Sequence, residues 1–147
     1  MVSQRRERGL DTYPRRIPAM HLDHAGIATH DTDSLVFLFE DIVDAELVHE
    51  ELLDGMKILF LDVGGDYLEL IEPTSENGPI ASFLDESGPG IHHLAFAVDD
   101  INAALERARD RGVDLIDSEP RPGAWGHDVA FCHPKSTGGV LVEFVEH

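Results

Sequence analysis

Four residues of the chain are of the types that hold a divalent cation: His24, Glu69, His93 and Glu143. Two imidazoles and two carboxylates suit Co²⁺, Mn²⁺, Ni²⁺, Zn²⁺ or Fe²⁺, with open positions left for a substrate if the ion is octahedral. Taken singly, none of the four is compelling. A strand glutamate usually faces solvent, and a histidine beside an apolar run is usually a hydrogen-bonded core residue. An internal repeat changes that balance.

His24-Ala25-Gly26-Ile27-Ala28 is echoed by His93-Leu94-Ala95-Phe96-Ala97, the first run preceded by Asp23 and the second by His92. Gly64-Gly65-Asp66-Tyr67-Leu68-Glu69-Leu70-Ile71-Glu72 matches Gly138-Gly139-Val140-Leu141-Val142-Glu143-Phe144-Val145-Glu146, with both glutamates in step. Side chains alternate across a strand, so His24 shares a face with Gly26 and Ala28, and His93 with Ala95 and Ala97. The same period sets Glu69 among Tyr67 and Ile71, and Glu143 among Leu141 and Val145. A carboxylate desolvated on such a face costs several kcal/mol unless a cation or hydrogen bonds compensate it. Pseudo-twofold closure of the two halves would bring all four residues to one point. Period two puts His92 on the face opposite His93, where a structural role is expected, and puts Glu72 and Glu146 on the far face, in solvent.

The elements that must position these residues also repeat. Asp31-Thr32-Asp33 caps a helix to about Phe39, and Asp99-Asp100 caps another over Ile101 to Arg111, ended by Gly112. Strand patterns follow at Ala45 to Glu50, Met56 to Val63 and Tyr67 to Ile71, and again at Val113 to Ile116, Asp128 to Phe131 and Val140 to Val145. The expected fold is α+β, two tandem βαβββ modules forming a curled mixed sheet around a metal-binding cleft. Module one covers about 20–73, a linker with a short helix near Pro79 to Leu84 covers about 74–90, and module two covers about 91–147. Residues 1–19, with five arginines and no apolar period, read as a basic, disordered tail, and Met20 is an alternative start to Met1.

The chain has 147 residues and a formal charge of −18, with only two lysines, Lys57 and Lys135. Removing the tail leaves −21 on residues 20–147. Such a surface repels nucleic acid and anionic membrane, so neither is an expected partner. It suits a protein kept soluble in concentrated salt, and a halophilic cytoplasm is the expected setting. No apolar stretch reaches the roughly 20 residues of a membrane span, and none follows the N-terminal arginines as in a signal peptide. Cys132, the lone cysteine, lies in the apolar run Val129-Ala130-Phe131-Cys132 and is expected to be a buried hydrophobe.

Several stretches together resemble the methylmalonyl-CoA epimerase family of the vicinal oxygen chelate superfamily, over about residues 20–147. They are Leu22-Asp23-His24, Leu68 to Pro73, Gly90 to Phe96, Val98-Asp99-Asp100-Ile101, Glu119 to Gly123 and His133 to Leu141. The resemblance implies metal ligands at His24, Glu69, His93 and Glu143, one divalent ion per chain with Co²⁺ favoured, a coenzyme A thioester substrate and a homodimer. The implied reaction interconverts the (R) and (S) forms of methylmalonyl-CoA by moving the α-proton through a metal-stabilised enolate, with Glu143 both ligand and base. Lys135, Ser136 and Arg121 are the implied substrate contacts, with Lys57 a further candidate for the coenzyme A phosphates, though each also reads as an ordinary surface residue. The position of a second family acid/base glutamate, three residues after Gly55, is held by Ile58. That leaves His49, Glu50, Glu51 or a metal-bound water to fill the role. Trp125, between Gly123 and Gly126, is expected either over the cleft or packed on the second-half sheet.

Three rivals share the fold. Glyoxalase I usually has an Asp-Pro-Asp-Gly-like lead-in where this chain has His133-Pro134-Lys135-Ser136. Metal-free drug-sequestering proteins typically lack the full ligand set. An extradiol dioxygenase needs only two histidines and one glutamate, so Glu69 would be surplus.

Overall fold

A computed structural model describes residues 20–147, so the basic tail expected at residues 1–19 lies outside the described residues. The first half runs β1 (Met20–Ala28), α1 (Thr32–Val43), β2 (Glu46–Leu53), β3 (Met56–Val63) and β4 (Asp66–Pro73). A connecting helix α2 (Pro79–Ser87) leads to β5 (Gly90–Val98), α3 (Ile101–Asp110), β6 (Arg121–Pro122), β7 (Asp128–Cys132) and β8 (Val142–Glu146). All eight strands join one sheet in the order β2-β3-β4-β1-β5-β8-β7-β6. The order is a mirror about the β1–β5 seam. Each half is internally antiparallel except where its first strand lies parallel to its last, β1 on β4 and β5 on β8. The two modules close within one chain because β1 and β5 pair antiparallel along nearly their whole length.

The sequence of β3 shows how the sheet is divided. Ile58, Leu59, Phe60 and Leu61 are all buried, without the alternation of a half-exposed strand. Leu59 and Leu61 pack with Val36 of α1 and Leu70, while Ile58 and Phe60 face the other way, with Ile71, Ile80 and Leu84. One face is covered by α1 and the other packs against residues of α2 and lines the cleft, so both sets of side chains are apolar.

Both long helices start on the expected caps. The Asp31 side chain accepts from the Ser34 N–H, and that of Asp100 accepts from the Ala103 N–H. A second device reinforces each. Glu72 accepts from the backbone N–H and hydroxyl of Thr32 at 2.8 and 3.1 Å, and Glu146 accepts from the Ile101 N–H at 2.9 Å. The two glutamates do lie on the far face, but as N-terminal partners of α1 and α3 rather than free in solvent. A carboxylate there meets both unpaired N–H groups and the positive end of the helix dipole.

One expected strand differs. Val113 to Ile116 makes only an isolated bridge from Leu115 to Cys132, and the edge of the second module is instead the two-residue β6. Backbone bonds remain from the Ile116 N–H to the Phe131 carbonyl at 2.9 Å and from the His133 N–H to the Asp114 carbonyl at 2.7 Å, but the Asp114 N–H is taken by Ser136 and the Phe131 N–H by Asp117, so the pairing stops at one bridge. Cys132 is buried, as expected. Among the described residues, no helix is long and apolar enough to cross a membrane.

Candidate metal centre and active site

The β1–β5 seam carries two kinks that period-two reading cannot see. Leu22 pairs with Phe96 but His24 pairs with Ala95, so Asp23 is an extra residue bulged out of β1. Gly26 pairs with His93 but Ile27 pairs with Ile91, so His92 is an extra residue in β5. Each bulge falls on the residue before a repeat histidine. A bulge interrupts the alternation of faces, so neighbours in sequence can turn to one side. Asp23 and His24 are both buried, and His92 lines the same cleft as His93. The expectation that His92 points away from His93 is therefore corrected.

His24, Glu69, His93 and Glu143 meet as the repeat predicts. The His24 and His93 Nε2 atoms are 3.3 Å apart. Glu69 Oε1 lies 3.3 Å from the first and 3.1 Å from the second, and Glu143 Oε1 lies 3.3 and 3.2 Å away. All four side chains are buried. His93 fits because β1 has no side chain at Gly26, where a Cβ would collide with the imidazole. Phe60 and Phe131 meet the rings of His24 and His93 edge-on, at centroid distances of 5.5 and 5.6 Å.

The charge state shows what the set can hold. Burial pushes the His24 imidazole down, but the carboxylates of Asp23, Glu143 and Glu69 more than reverse this and raise it to about 11. Burial likewise opposes His93, which Glu143 and Glu69 raise to about 9. The two glutamates are held below the usual carboxylate range because the imidazoles outweigh the burial that would raise them. Even so, Glu143 Oε1 is buried without a hydrogen-bond partner. A buried anionic oxygen left open beside three convergent donors is what a divalent cation would satisfy. His24, His93 and Glu143 offer ligand atoms all within 4.8 Å of one another, with Glu69 beside them. The residues fit a metal ion.

Both imidazoles are oriented from behind. His24 Nδ1 is 2.7 Å from Asp23 Oδ2, while Asp23 Oδ1 is 2.7 Å from Nε2 of His147. His93 Nδ1 is 2.9 Å from His92 Nδ1. Burial and the neighbouring His93 charge push His92 down to about 4, leaving it neutral. For Asp23 and His92 the sequence holds a clue, their shared place before the repeat histidines; for His147 it holds none.

The cleft has a volume of about 290 Å³ and is lined by Glu69, His93, Glu143, His92 and Arg121 together with apolar residues including Ile58, Ile71, Ile80 and Phe131. A second hollow of about 340 Å³, on the α1 side of β1, is lined by Asp23 and His24 with Leu22, Phe39, Val43 and Val63, but by none of Glu69, His93 and Glu143. Three of the four convergent residues thus face the 290 Å³ cleft and one faces this hollow. Arg121 reaches the cleft, bonded to Asp117 at 3.0 Å and lying over the Phe131 ring. Lys135 and Ser136 do not line it. Lys135 pairs with Asp114 at 3.3 Å, and the Ser136 hydroxyl accepts from the Asp114 N–H. Lys57 pairs with Asp33.

Ile58 is cleft wall, and its register partner on β2 is Glu51. His49 pairs with Phe60, so His49 and Glu51 share the side of Phe60 and Ile58, without themselves lining the 290 Å³ cleft, while Glu50 points to the other, exposed. His49 Nε2 is 3.0 Å from Glu51 Oε1, which also accepts from the Trp125 N–H. Trp125 comes from the second half yet packs on the first. Its ring stacks on His49 at 4.7 Å and 7°, and meets Phe60 and Tyr67. The ring borders a small recess of about 30 Å³ shared with His24, Glu69 and Glu143, and is not among the residues that line the 290 Å³ cleft. Trp125 adopts φ 60 there, in the left-handed region rarely taken by a bulky residue.

The chain belongs to the glyoxalase/bleomycin resistance protein/dioxygenase superfamily, whose sequence signature matches residues 23–131. It is 36% identical to the ethylmalonyl-CoA/methylmalonyl-CoA epimerase of Cereibacter sphaeroides, over 83% of this chain and 94% of that protein. The crystal structure of methylmalonyl-CoA epimerase from Mycobacterium tuberculosis superposes with a TM-score of 0.83 at 39% identity, covering 91% of this chain and 93% of that one. A variant of the Streptomyces coelicolor methylmalonyl-CoA epimerase, in complex with 2-nitronate-propionyl-CoA, superposes with a TM-score of 0.81 at 36% identity, over 88% and 95% of the two chains.

Proposed function

We propose that this chain is a metal-dependent epimerase that interconverts (R)- and (S)-methylmalonyl-CoA. The observation that carries the reading is the convergence of two imidazoles and two carboxylates, with one buried carboxylate oxygen making no hydrogen bond, at the wall of an otherwise largely apolar cleft. The similarity to epimerases supplies the substrate. His24, Glu69, His93 and Glu143 would hold a divalent ion, with Co²⁺ first among Mn²⁺, Ni²⁺ and Zn²⁺. When bound, the ion supplies positive charge against the negative charge that develops on the thioester oxygen, worth several kcal/mol.

Epimerisation removes the proton α to the thioester from one face and returns a proton to the other. The C–H electron pair passes to the carbonyl carbon–oxygen system and back, so no redox partner is needed. Two acid/base groups on opposite arms of the sheet suit this task. Glu143 on β8 is one. Glu51 on β2 is the other, chosen over Glu50 by the side of the sheet it occupies and over His49 by geometry, since His49 and the Trp125 N–H both fix its carboxylate. In one direction Glu51 takes the α-proton and Glu143 donates; in the other they exchange roles. Arg121 is the cation placed to meet an anionic part of the substrate.

Incubating methylmalonyl-CoA with the Co²⁺-loaded protein in D₂O tests the reading directly. Deuterium should enter the α position only with enzyme. No exchange, together with turnover of the methylglyoxal–glutathione adduct, would establish a glyoxalase instead.

A further inference from the structure

His92 lies on the wall of the cleft because the bulge in β5 turns it there, packed edge-on against Phe83 of α2. Its Nδ1 is 2.9 Å from Nδ1 of His93. Two facing ring nitrogens bond only if one carries a proton and the other a lone pair. The Nε2 of His93 faces His24, Glu69 and Glu143, and a nitrogen that ligates a cation carries no proton. The proton of His93 is therefore on Nδ1, and His92 Nδ1 accepts it. His92 must then keep its own proton on Nε2, for which no acceptor is present among the described residues.

From this geometry we propose that His92 is a positioning residue that fixes the ring orientation and tautomer of His93, and that its Nε2–H donates to an anionic oxygen of the substrate's acyl head. The proposal rests on His93 being a metal ligand, as in the reading above. Asp23 performs the first task for His24, but both its oxygens are already engaged, by His24 and by His147. An aspartate at position 92 would orient His93 equally well, yet would add a third carboxylate beside Glu69 and Glu143 in a cleft that receives an anion. An imidazole accepts the same hydrogen bond without charge and turns a donor outward.

The test compares His92→Asp, which keeps the acceptor and removes the donor, with His92→Phe, which keeps the ring and removes both. Co²⁺ affinity by chelator competition should fall about 10–100-fold in His92→Phe, the usual cost of losing a partner behind a ligand, and stay near wild type in His92→Asp. KM for methylmalonyl-CoA should rise at least about tenfold in His92→Asp. Wild-type affinity in His92→Phe, or equal loss in both variants, overturns the positioning role. An unchanged KM in His92→Asp overturns the donor role. A wild-type protein that binds no Co²⁺ defeats the metal reading instead, and imidazole ¹⁵N NMR of that protein still decides the tautomer. The Nε2–H form of His92 is expected, and the Nδ1–H form would overturn the proposal, a readout that stands even if His92→Phe does not fold.

Discussion

The imidazole of His93 occupies the space in which residue 26 would carry its side chain. Gly26 is therefore there for access rather than for backbone freedom, and its neighbour across the seam is a proposed ligand. Gly26→Ala should displace the ring and cost about 100-fold in kcat/KM, the scale of an ångström-sized misplacement. Metal content by elemental analysis should fall while far-ultraviolet circular dichroism stays native. A variant that retains its metal would separate the glycine from the site.

The stability of the metal-free protein should depend on pH with a definite sign. His24 and His93 stand at about 11 and about 9 when folded, above the ordinary 6.5. A raised value means protons are bound more tightly in the folded state, so this stabilisation is complete below pH 6.5 and is lost as pH rises through about 9 to 11. The metal-loaded protein should behave oppositely, because an ion must displace the imidazole protons. Thermal unfolding between about pH 6.5 and 9.5, with and without chelator, checks both. Two parallel profiles would contradict the coupling.

Glu51→Gln should lower kcat by about 10²–10⁴, the range for loss of a positioned acid or base. Metal affinity should be unchanged, because Glu51 bonds to His49 and the Trp125 backbone rather than to the four convergent residues. Full activity in this variant would return the role to the other candidates.

Glu72 and Glu146 should matter to folding and not to chemistry. Replacing either by alanine removes a helix N-terminal partner and should cost about 1 kcal/mol in urea unfolding. Glu72→Ala should cost more, since it bonds Thr32 twice. Metal content should not change in either.

A charge of −21 on residues 20–147 is self-repulsive in dilute buffer. The melting temperature should therefore rise between about 0.1 and 2 M KCl, where the screening length falls to a few ångströms. A protein that melts at higher temperature in dilute buffer is not adapted to salt.

The repeat made the four convergent residues legible because two copies of one pattern constrain each other. Caps at Asp31 and Asp100 were legible for the same local reason that they cap. What escaped depends on register. Period-two reading assumes an unbroken strand, so it sent His92 to the wrong side and could not pair Asp23 with His24. The strand expected at Val113 to Ile116 shrinks to a bridge because side chains of Ser136 and Asp117 take two N–H groups beside its backbone bonds to Phe131 and His133, a choice made by tertiary neighbours. Glu72 and Glu146 were placed on the correct face, but their partners are helix ends about 40 residues or more away in sequence.

The two bulges have a consequence for descent. Each kink sits on the residue immediately before a histidine, so one dipeptide encodes both the proposed ligand and the group bonded behind it. Duplicating an ancestral half-gene would copy ligand and support together, giving a complete site in one event. Later substitution of that preceding residue could retune one copy while leaving the other untouched. The aspartate in one half and the histidine in the other are the trace such a divergence would leave.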